Sequence, residues 1–143
     1  MYFVDQHWYF CFILNIEVYR HMTFYKCKHC GKIIAIVNDK HIPTFCCGEI
    51  MEEIPVNTSE GAHEKHIPVY EIKDNIVTVK VGEVEHPMMD AHYIEWIMIE
   101  TNMGNQRKRL HPGDKPEAKF ALLPEEKVLR VLEYCNLHGL YAK

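Results

Sequence analysis

The stretch that decides the fold is Tyr93-Ile94-Glu95-Trp96-Ile97-Met98-Ile99, a long apolar run rich in β-branched and aromatic residues. Such a composition is typical of a buried β-strand. A second strand is predicted at Ile76-Val77-Thr78-Val79-Lys80-Val81, and a third at Lys119-Phe120-Ala121-Leu122-Leu123. Turn signals separate these runs, at Asp74-Asn75, His86-Pro87 and His111-Pro112-Gly113. Short strands with turns at this spacing predict an antiparallel sandwich.

One apolar segment near the C-terminus fits two structures. Val128, Leu129, Val131, Leu132 and Cys135 fit one face of a helix, whereas Val128, Leu132 and Tyr134 also fit a strand. The residues alone leave both structures open.

Composition bounds the class of protein. The chain has 143 residues, enough for one sizeable core or for a small module beside a medium one. With 48% hydrophobic and 25% charged residues it is not a disordered chain. The net charge of −4 disfavours general binding to nucleic acid, so we interpret Arg107-Lys108-Arg109 as a solvated loop. Since no apolar run approaches about 18 residues, we expect no membrane span.

The chain divides into three parts. Residues 1–21 are apolar but interrupted by polar residues, and Arg20 is their first basic residue, which makes them a poor signal peptide. Our hypothesis is that Met22 is the true start and that residues 1–21 are an upstream extension. The alternative is a short arm packed on the surface or on a partner chain. Residues 22–57 are predicted to form a small metal knuckle, and residues 58–143 a larger domain.

Four cysteines fall within the small segment. Cys27-x2-Cys30 is followed, after fifteen intervening residues, by Cys46-Cys47. Disulfides fit poorly because neighbouring cysteines rarely bridge each other, whereas four thiolates suit tetrahedral zinc or iron. Adjacent cysteines reach one metal only on a turn, and Gly48 supplies the permissive backbone there. The irregular pair favours iron over a structural zinc knuckle.

A second set of ligand-type residues lies in the larger domain. It contains His66, His86, His92, Cys135 and His138. Any one of these histidines is more often a surface or core residue than a ligand, and His92 alone fits a core position with Ile94 and Trp96 on its strand face. Together, four imidazoles and one thiolate suit a metal such as iron, and five ligands leave an octahedral ion one open position.

The two sets of ligands lie in four compact motifs. They are Glu64-Lys65-His66-Ile67-Pro68, His86-Pro87-Met88 with His92, Cys135-Asn136-Leu137-His138-Gly139-Leu140, and the four-cysteine spacing. These motifs resemble those of superoxide reductases of the two-iron desulfoferrodoxin type, and the resemblance covers about Met22 to Lys143. Ile67 and Tyr141 depart from the family pattern, and neither is expected to touch a ligand.

The resemblance implies a fold and a mode of assembly. It implies an all-β protein, with an immunoglobulin-like β-sandwich preceded by a small desulforedoxin- or rubredoxin-like metal-knuckle domain. It also decides the ambiguous segment of residues 128–134 in favour of a strand. The expected assembly is a homodimer in the cytoplasm, with a rubredoxin-like protein as electron donor.

The resemblance also implies roles for the site residues. The four histidines are the equatorial ligands of a mononuclear iron, and Cys135 is the axial thiolate opposite an open position. Superoxide takes one electron there and leaves as hydrogen peroxide after two protonations. Lys65 attracts the anion, and Glu64 closes onto the ferric iron after turnover. Iron held by Cys27, Cys30, Cys46 and Cys47 is an accessory centre.

Two other functions compete with this one. The first is an electron-transfer iron protein without superoxide chemistry, and the second is a zinc-stabilised binding module. The remaining histidines are predicted to be surface residues, namely His7, His21, His29, His41, His63 and His111.

Overall fold

The computed structural model describes residues 21–57 and 63–143. The hypothesis about the N-terminal extension falls outside these residues, apart from His21. Among the described residues, no helix combines the length and apolarity needed to cross a membrane.

The four-cysteine unit is built from short strands. In residues 21–57, β1 (Thr23–Lys26) pairs antiparallel with both β2 (Ile33–Ile36) and β5 (Glu52–Glu53). A separate hairpin joins β3 (Phe45–Cys46) to β4 (Glu49–Ile50). So small a unit buries few apolar side chains, and external support is needed to hold it in place.

The larger unit consists of two antiparallel sheets that follow a single helical turn, α1 (His63–His66). One sheet has the order β10-β7-β6, with β6 (Pro68–Lys73), β7 (Ile76–Val81) and β10 (Glu117–Ala121). The other has the order β12-β11-β8-β9, with β8 (Ile94–Thr101), β9 (Gly104–Arg109), β11 (Val128–Cys135) and β12 (Gly139–Ala142).

The main core lies between these two sheets. Val77 and Val79 of β7 pack with Ile97 and Ile99 of β8 and Val131 of β11, all of them completely buried. Burying alternate residues from two facing sheets is what defines a sandwich. The predicted all-β class, with a sandwich preceded by a small metal knuckle, is confirmed. The domain boundaries at residues 21/22 and 57/58 stay predictions.

A second core joins the small unit to the outer face of the β8–β11 sheet. Trp96 stacks between Phe24 and Tyr134, with ring centroids 5.3 Å and 5.6 Å away. The Lys26 ammonium donates to the Tyr134 hydroxyl at 2.9 Å. Aromatic stacking of this kind adds about 0.5–1.5 kcal/mol per pair beyond the burial of area. The sandwich therefore supplies the support that the small unit lacks.

The strand predictions differ in accuracy. The prediction for residues 76–81 coincides with β7, and residues 128–134 form a strand as the resemblance implied. Residues 93–99 are displaced slightly from β8, and residues 119–123 overlap only partly with β10. The prediction of a loop at residues 107–109 is wrong, since these residues end strand β9.

The prediction that Ile94 and Trp96 lie on one face of their strand is wrong because β8 contains a β-bulge. Ile94 lies opposite Cys135, but Trp96 lies opposite Tyr134, so Glu95 is an extra residue in β8. A bulge of this kind inverts the alternation of side chains beyond it. Ile94 therefore joins the main core while Trp96 faces the small unit, and the two do not share a face.

Candidate metal centres

Five ligand-type side chains from three parts of the chain converge at one end of the sandwich. His66 ends α1, His86 and His92 lie between β7 and β8, and Cys135 and His138 lie at the turn from β11 to β12. One ring nitrogen of each histidine and the Cys135 sulfur all lie within 4.8 Å of one another. The structure thus brings together every residue predicted for this site.

The four imidazole rings occupy the corners of a square. In the order His66, His86, His92, His138, neighbouring centroids are 4.5 Å, 4.6 Å, 4.8 Å and, closing the square, 4.8 Å apart. The diagonal from His66 to His92 is 6.4 Å, as a square with these sides requires. Cys135 Sγ lies 3.7 Å from His138 Nδ1. Four nitrogens around a centre with one sulfur beside them form a ligand set suited to iron.

Two of the imidazole nitrogens point into the cluster with no protein partner. His86 Nε2 and His92 Nε2 are buried and, among the described residues, accept or donate no hydrogen bond. The Nδ1 atom of His86 lies 2.6 Å from the carbonyl oxygen of Pro87 and donates to it, which leaves Nε2 as the lone-pair nitrogen. A bound cation is the partner that such inward-facing lone pairs lack.

The protonation states of the ligands also suit a metal. Burial lowers the pKa of His86 to about 4 and also lowers that of His92, so both are neutral at pH 7 and their lone pairs are available. Burial raises the pKa of the Cys135 thiol, whereas the backbone N–H groups of His138 and Leu137 oppose that shift by donating to sulfur. A metal would therefore displace the thiol proton on binding.

A buried carboxyl group holds the His66 ring from behind. Glu133 Oε1 lies 3.1 Å from His66 Nδ1, and the Glu133 side chain is completely buried. Burial raises the pKa of Glu133 well above its usual range. A carboxyl at this nitrogen fixes the tautomer that directs Nε2 toward the cluster. Sequence reasoning missed Glu133, although its position two residues before Cys135 in one strand places both on the same face.

Tyr141 requires a correction. It was expected to touch no ligand, but its ring stacks on the His66 ring with centroids 4.5 Å apart and an interplanar angle of 12°. The side chain is completely buried. His66 is therefore held by a hydrogen bond at one edge and by an aromatic plane at one face.

An asparagine ties the two ligand-bearing loops together. Asn136 Oδ1 accepts from the backbone N–H of Tyr93 at 2.9 Å, and Asn136 Nδ2 donates to the carbonyl of Ala91 at 3.1 Å. These bonds flank His92 and follow Cys135 directly in sequence. The relative position of the two ligands is thereby fixed by one side chain that sequence analysis did not single out.

The predicted catalytic residues Glu64 and Lys65 directly precede His66 in α1 and are exposed. Burial is the main cause of the lowered pKa of His86 and His92, and the positive charge of Lys65 contributes to lowering both. The backbone here is anchored by the turn at Gly82, where the Glu64 carbonyl accepts from the Glu83 N–H at 2.9 Å. The cluster therefore has a buried side at Cys135 and a charged side toward solvent.

The four cysteines of the small unit form a second cluster. The Sγ atoms of Cys27, Cys30, Cys46 and Cys47 all lie within 4.8 Å of one another. Cys30 Sγ is 3.6 Å from Cys46 Sγ, and Cys46 Sγ is 3.9 Å from Cys47 Sγ. None of the cysteines in the described residues is in a disulfide. A four-sulfur set of this kind fits tetrahedral iron or zinc.

A tight turn allows the adjacent cysteines Cys46 and Cys47 to reach one shared centre. Cys47 and Gly48 both have positive φ, 51° and 82°, and connect β3 to β4 as a two-residue hairpin turn. The predicted turn at Gly48 is confirmed, and it lets Cys46 and Cys47 share a centre. Hydrogen bonds from the Cys30 and His29 backbone lower the pKa of Cys27 to about 6, which favours its thiolate.

Among the described residues, the other histidines lie outside both clusters. The side chains of His21, His29, His41 and His111 are exposed, as predicted. His7 and the side chain of His63 lie outside the described part of the chain.

Comparison with known proteins places both clusters in a family. The family model described as desulfoferrodoxin matches residues 58–143, which include the histidine–cysteine cluster. The chain belongs to the desulfoferrodoxin family. The desulfoferrodoxin of Syntrophotalea carbinolica is 45% identical over 121 residues, covering 85% of this chain and 94% of that protein. The desulfoferrodoxin of Nitratidesulfovibrio vulgaris is 46% identical over 115 residues, covering 80% and 90%.

A solved structure extends the family match to the fold. The superoxide reductase from Treponema pallidum is 38% identical, has a TM-score of 0.74, and is matched over 87% of this chain and 98% of its own. The desulfoferrodoxin similarity therefore reaches beyond residues 58–143 into the four-cysteine unit. The two clusters correspond to the two iron centres of a desulfoferrodoxin.

Proposed function

We propose that this protein reduces superoxide to hydrogen peroxide, using one electron and two protons per superoxide. The observation that carries the proposal is the square of four imidazoles with a buried thiol beside it, in a chain that is 38% identical to a superoxide reductase of known structure.

Five side chains are proposed to bind one iron. His66, His86, His92 and His138 supply neutral nitrogens, and Cys135 supplies a thiolate from the buried side. Iron held there would supply the electron and an exchangeable position for a small anion. The backbone N–H groups of His138 and Leu137 donate to the Cys135 sulfur and so moderate its donation to a metal.

Charge favours an anionic substrate at this site. Iron(II) with one thiolate and four neutral imidazoles carries a net charge of +1, within a chain whose net charge is −4. Lys65 adds a second positive charge on the solvent side, where His138 is also exposed. A local positive field of this kind raises the association rate of a small anion by about 10-fold or more.

Glu64 is proposed to act after the electron has moved. Glu64 is exposed and lies one residue from Lys65 and two from His66 in the sequence. We propose that it takes the position left by the departing product. The observation that supports this is that Glu64 and Lys65 are both exposed in α1, the helical turn that ends at His66.

The four-cysteine centre is proposed to be accessory. Four thiolates around one iron leave a net negative charge, which repels superoxide. Electron transfer to or from this centre without substrate binding fits its exposed thiols, Cys30 and Cys47.

The assembly, electron donor and compartment stay predictions. A homodimer is supported by exposed apolar side chains on the small unit, and sedimentation measures the oligomeric state directly. These side chains are Val37, Ile42, Phe45 and Ile50. A rubredoxin-like donor and a cytoplasmic location fit a chain whose described cysteines are all unbridged.

The test combines iron content, visible spectrum and product analysis before and after superoxide is added to the reduced protein. We expect two irons per chain, a coloured ferric product, and one peroxide per superoxide without release of dioxygen. A colourless zinc protein would indicate a binding module. Iron that stays ferrous under superoxide would indicate an electron carrier, and either result would overturn the proposal.

A further inference from the structure

A groove separates the small unit from the edge of the sandwich. It lies between the β1–β2 hairpin and strands β8 and β9, with a volume of about 470 Å³. Ile33 and Ala35 form one wall, and Trp96 and Met98 form the floor. The groove is separate from both metal-ligand clusters.

Two guanidinium groups line the outer wall. Arg107 and Arg109 pair in register with Met98 and Trp96, so both side chains lie on the face of β9 that borders the groove. None of the ion pairs among the described residues involves either arginine. Glu95 is the one acidic residue in the lining. The wall therefore carries unpaired positive charge on a chain whose net charge is −4.

The lining of the groove includes one residue next to a ligand of each cluster. Gly31 lines the groove and directly follows Cys30 of the four-cysteine cluster. Tyr93 also lines it, directly follows His92, and its backbone is bonded to Asn136. A molecule seated in the groove would thus lie against residues adjacent to a ligand of each centre.

We propose that this groove is the docking surface for a small acidic electron-transfer protein that reduces the iron centres. This inference rests on the proposed function, because that reaction consumes one electron per superoxide. In each encounter the donor's one-electron centre is oxidised and one ferric centre of this chain is reduced, with no proton or bond transferred. The two arginines attract an acidic partner. Their positive charge also offsets the repulsion between such a partner and the negatively charged four-thiolate iron centre.

A competing role for the arginines is protection of a sheet edge. Strand β9 is the outermost strand of its sheet, and basic side chains on such a strand discourage pairing with other chains. That role requires no particular partner and no effect on electron entry. The two roles therefore differ in measurable ways.

The test uses the iron-loaded protein and a reduced acidic rubredoxin as the probe. The variant Arg107→Ala/Arg109→Ala is compared with Lys73→Ala/Lys127→Ala, which removes the same charge from exposed lysines outside the groove. Calorimetry at low ionic strength gives the dissociation constant for the oxidised probe. Stopped-flow gives the rate of electron entry from the reduced probe.

We expect the arginine variant to bind the probe about 10-fold or more weakly, to accept electrons correspondingly more slowly, and to lose most of the salt dependence. The lysine variant should behave like the unaltered chain. Cationic cytochrome c, used as an electron acceptor from the reduced protein, should react no more slowly with the arginine variant.

Equal loss in both variants would show a general charge effect and overturn the docking site, as would unchanged binding in the arginine variant. Superoxide consumption by the chemically reduced arginine variant is measured separately and should match that of the unaltered chain. If neither protein consumes superoxide, the proposed function fails while the binding result still decides whether the groove is a docking surface.

Discussion

The Nδ1 atom of His66 lies 3.1 Å from Oε1 of Glu133, and both side chains are almost completely buried. Glu133 is in strand β11 and His66 ends α1, so this one contact links the sandwich core to the helical turn that carries Lys65 and Glu64. The second carboxyl oxygen of Glu133 has no hydrogen-bond partner among the described residues. The hydrogen bond to His66 is therefore the main interaction that offsets the desolvation cost of burying this carboxyl group.

Replacing the carboxyl should loosen the histidine–cysteine centre. In Glu133→Ala, His66 loses the acceptor that fixes its tautomer, so the affinity for iron should fall by about 10- to 100-fold. Glu133→Gln retains an acceptor oxygen and should lose less. Chelator competition measures the affinity, with exposed Glu71→Ala as the control. Equal affinities in all three variants would show that the contact does not position His66.

Gly82, which packs against α1, should tolerate a side chain poorly. Gly82 has φ +79°, and a Cβ there would lie 2.5 Å from the Lys65 carbonyl oxygen. Gly82→Ala should lower the free energy of unfolding by at least about 1–3 kcal/mol and weaken metal binding at His66, because α1 must move.

Gly113→Ala is the matched control for that variant. Gly113 has φ +85°, but a Cβ there would meet no atom within 4 Å, so this substitution reports backbone strain alone. Chemical denaturation and metal titration measure both variants. If they lose stability equally and retain metal equally, the collision with Lys65 has no effect on the site.

Acid should destabilise the metal-free protein through His86. Its pKa falls from 6.5 to about 4 on burial, so the unfolded chain binds a proton at higher pH than the folded one. Stability is therefore full above about pH 6.5 and is lost as the pH falls toward about 4, by up to about 3 kcal/mol.

Denaturation of the apoprotein across this range checks the prediction. In His86→Asn, a side-chain amide can still donate to the Pro87 carbonyl but cannot titrate, so the pH dependence should be smaller by that amount. An identical pH profile in the two proteins would remove His86 as its source.

Lys65 should control how fast superoxide arrives. Lys65→Ala removes an exposed positive charge that acts on His86 and His92, so the bimolecular rate should fall by up to about 10-fold and its ionic-strength dependence should flatten. Pulse radiolysis of the reduced protein gives both quantities. Lys73→Ala, at the end of β6 away from the cluster, is the control and should change neither.

Most strands of the sandwich can be predicted from the sequence because apolar residues dominate each local run. The run at residues 76–81 is bounded by clear turn signals and coincides with β7. The bulge at Glu95 leaves no such signal, since it arises from pairing with β11 and not from β8 itself. The prediction of a loop at residues 107–109 is wrong because an exposed edge strand carries charged residues, as a loop does.

The ligands were predictable because their motifs are compact, whereas their supports were not. Glu133 is a charged residue in an apolar strand, and only its register with Cys135 reveals that it faces inward. Tyr141 and Asn136 act through a ring stack and backbone bonds across distant segments. Contacts of this kind depend on tertiary packing, which one sequence does not encode in a local pattern.

The most direct measurement is pulse radiolysis of the reduced, iron-loaded Cys27→Ser variant, whose four-cysteine cluster lacks one ligand. If the histidine–cysteine centre performs the chemistry, superoxide should disappear at close to the rate of the unaltered chain, with one peroxide formed for each superoxide consumed. Loss of the reaction in this variant, with iron still bound by the four histidines and Cys135, would contradict the account.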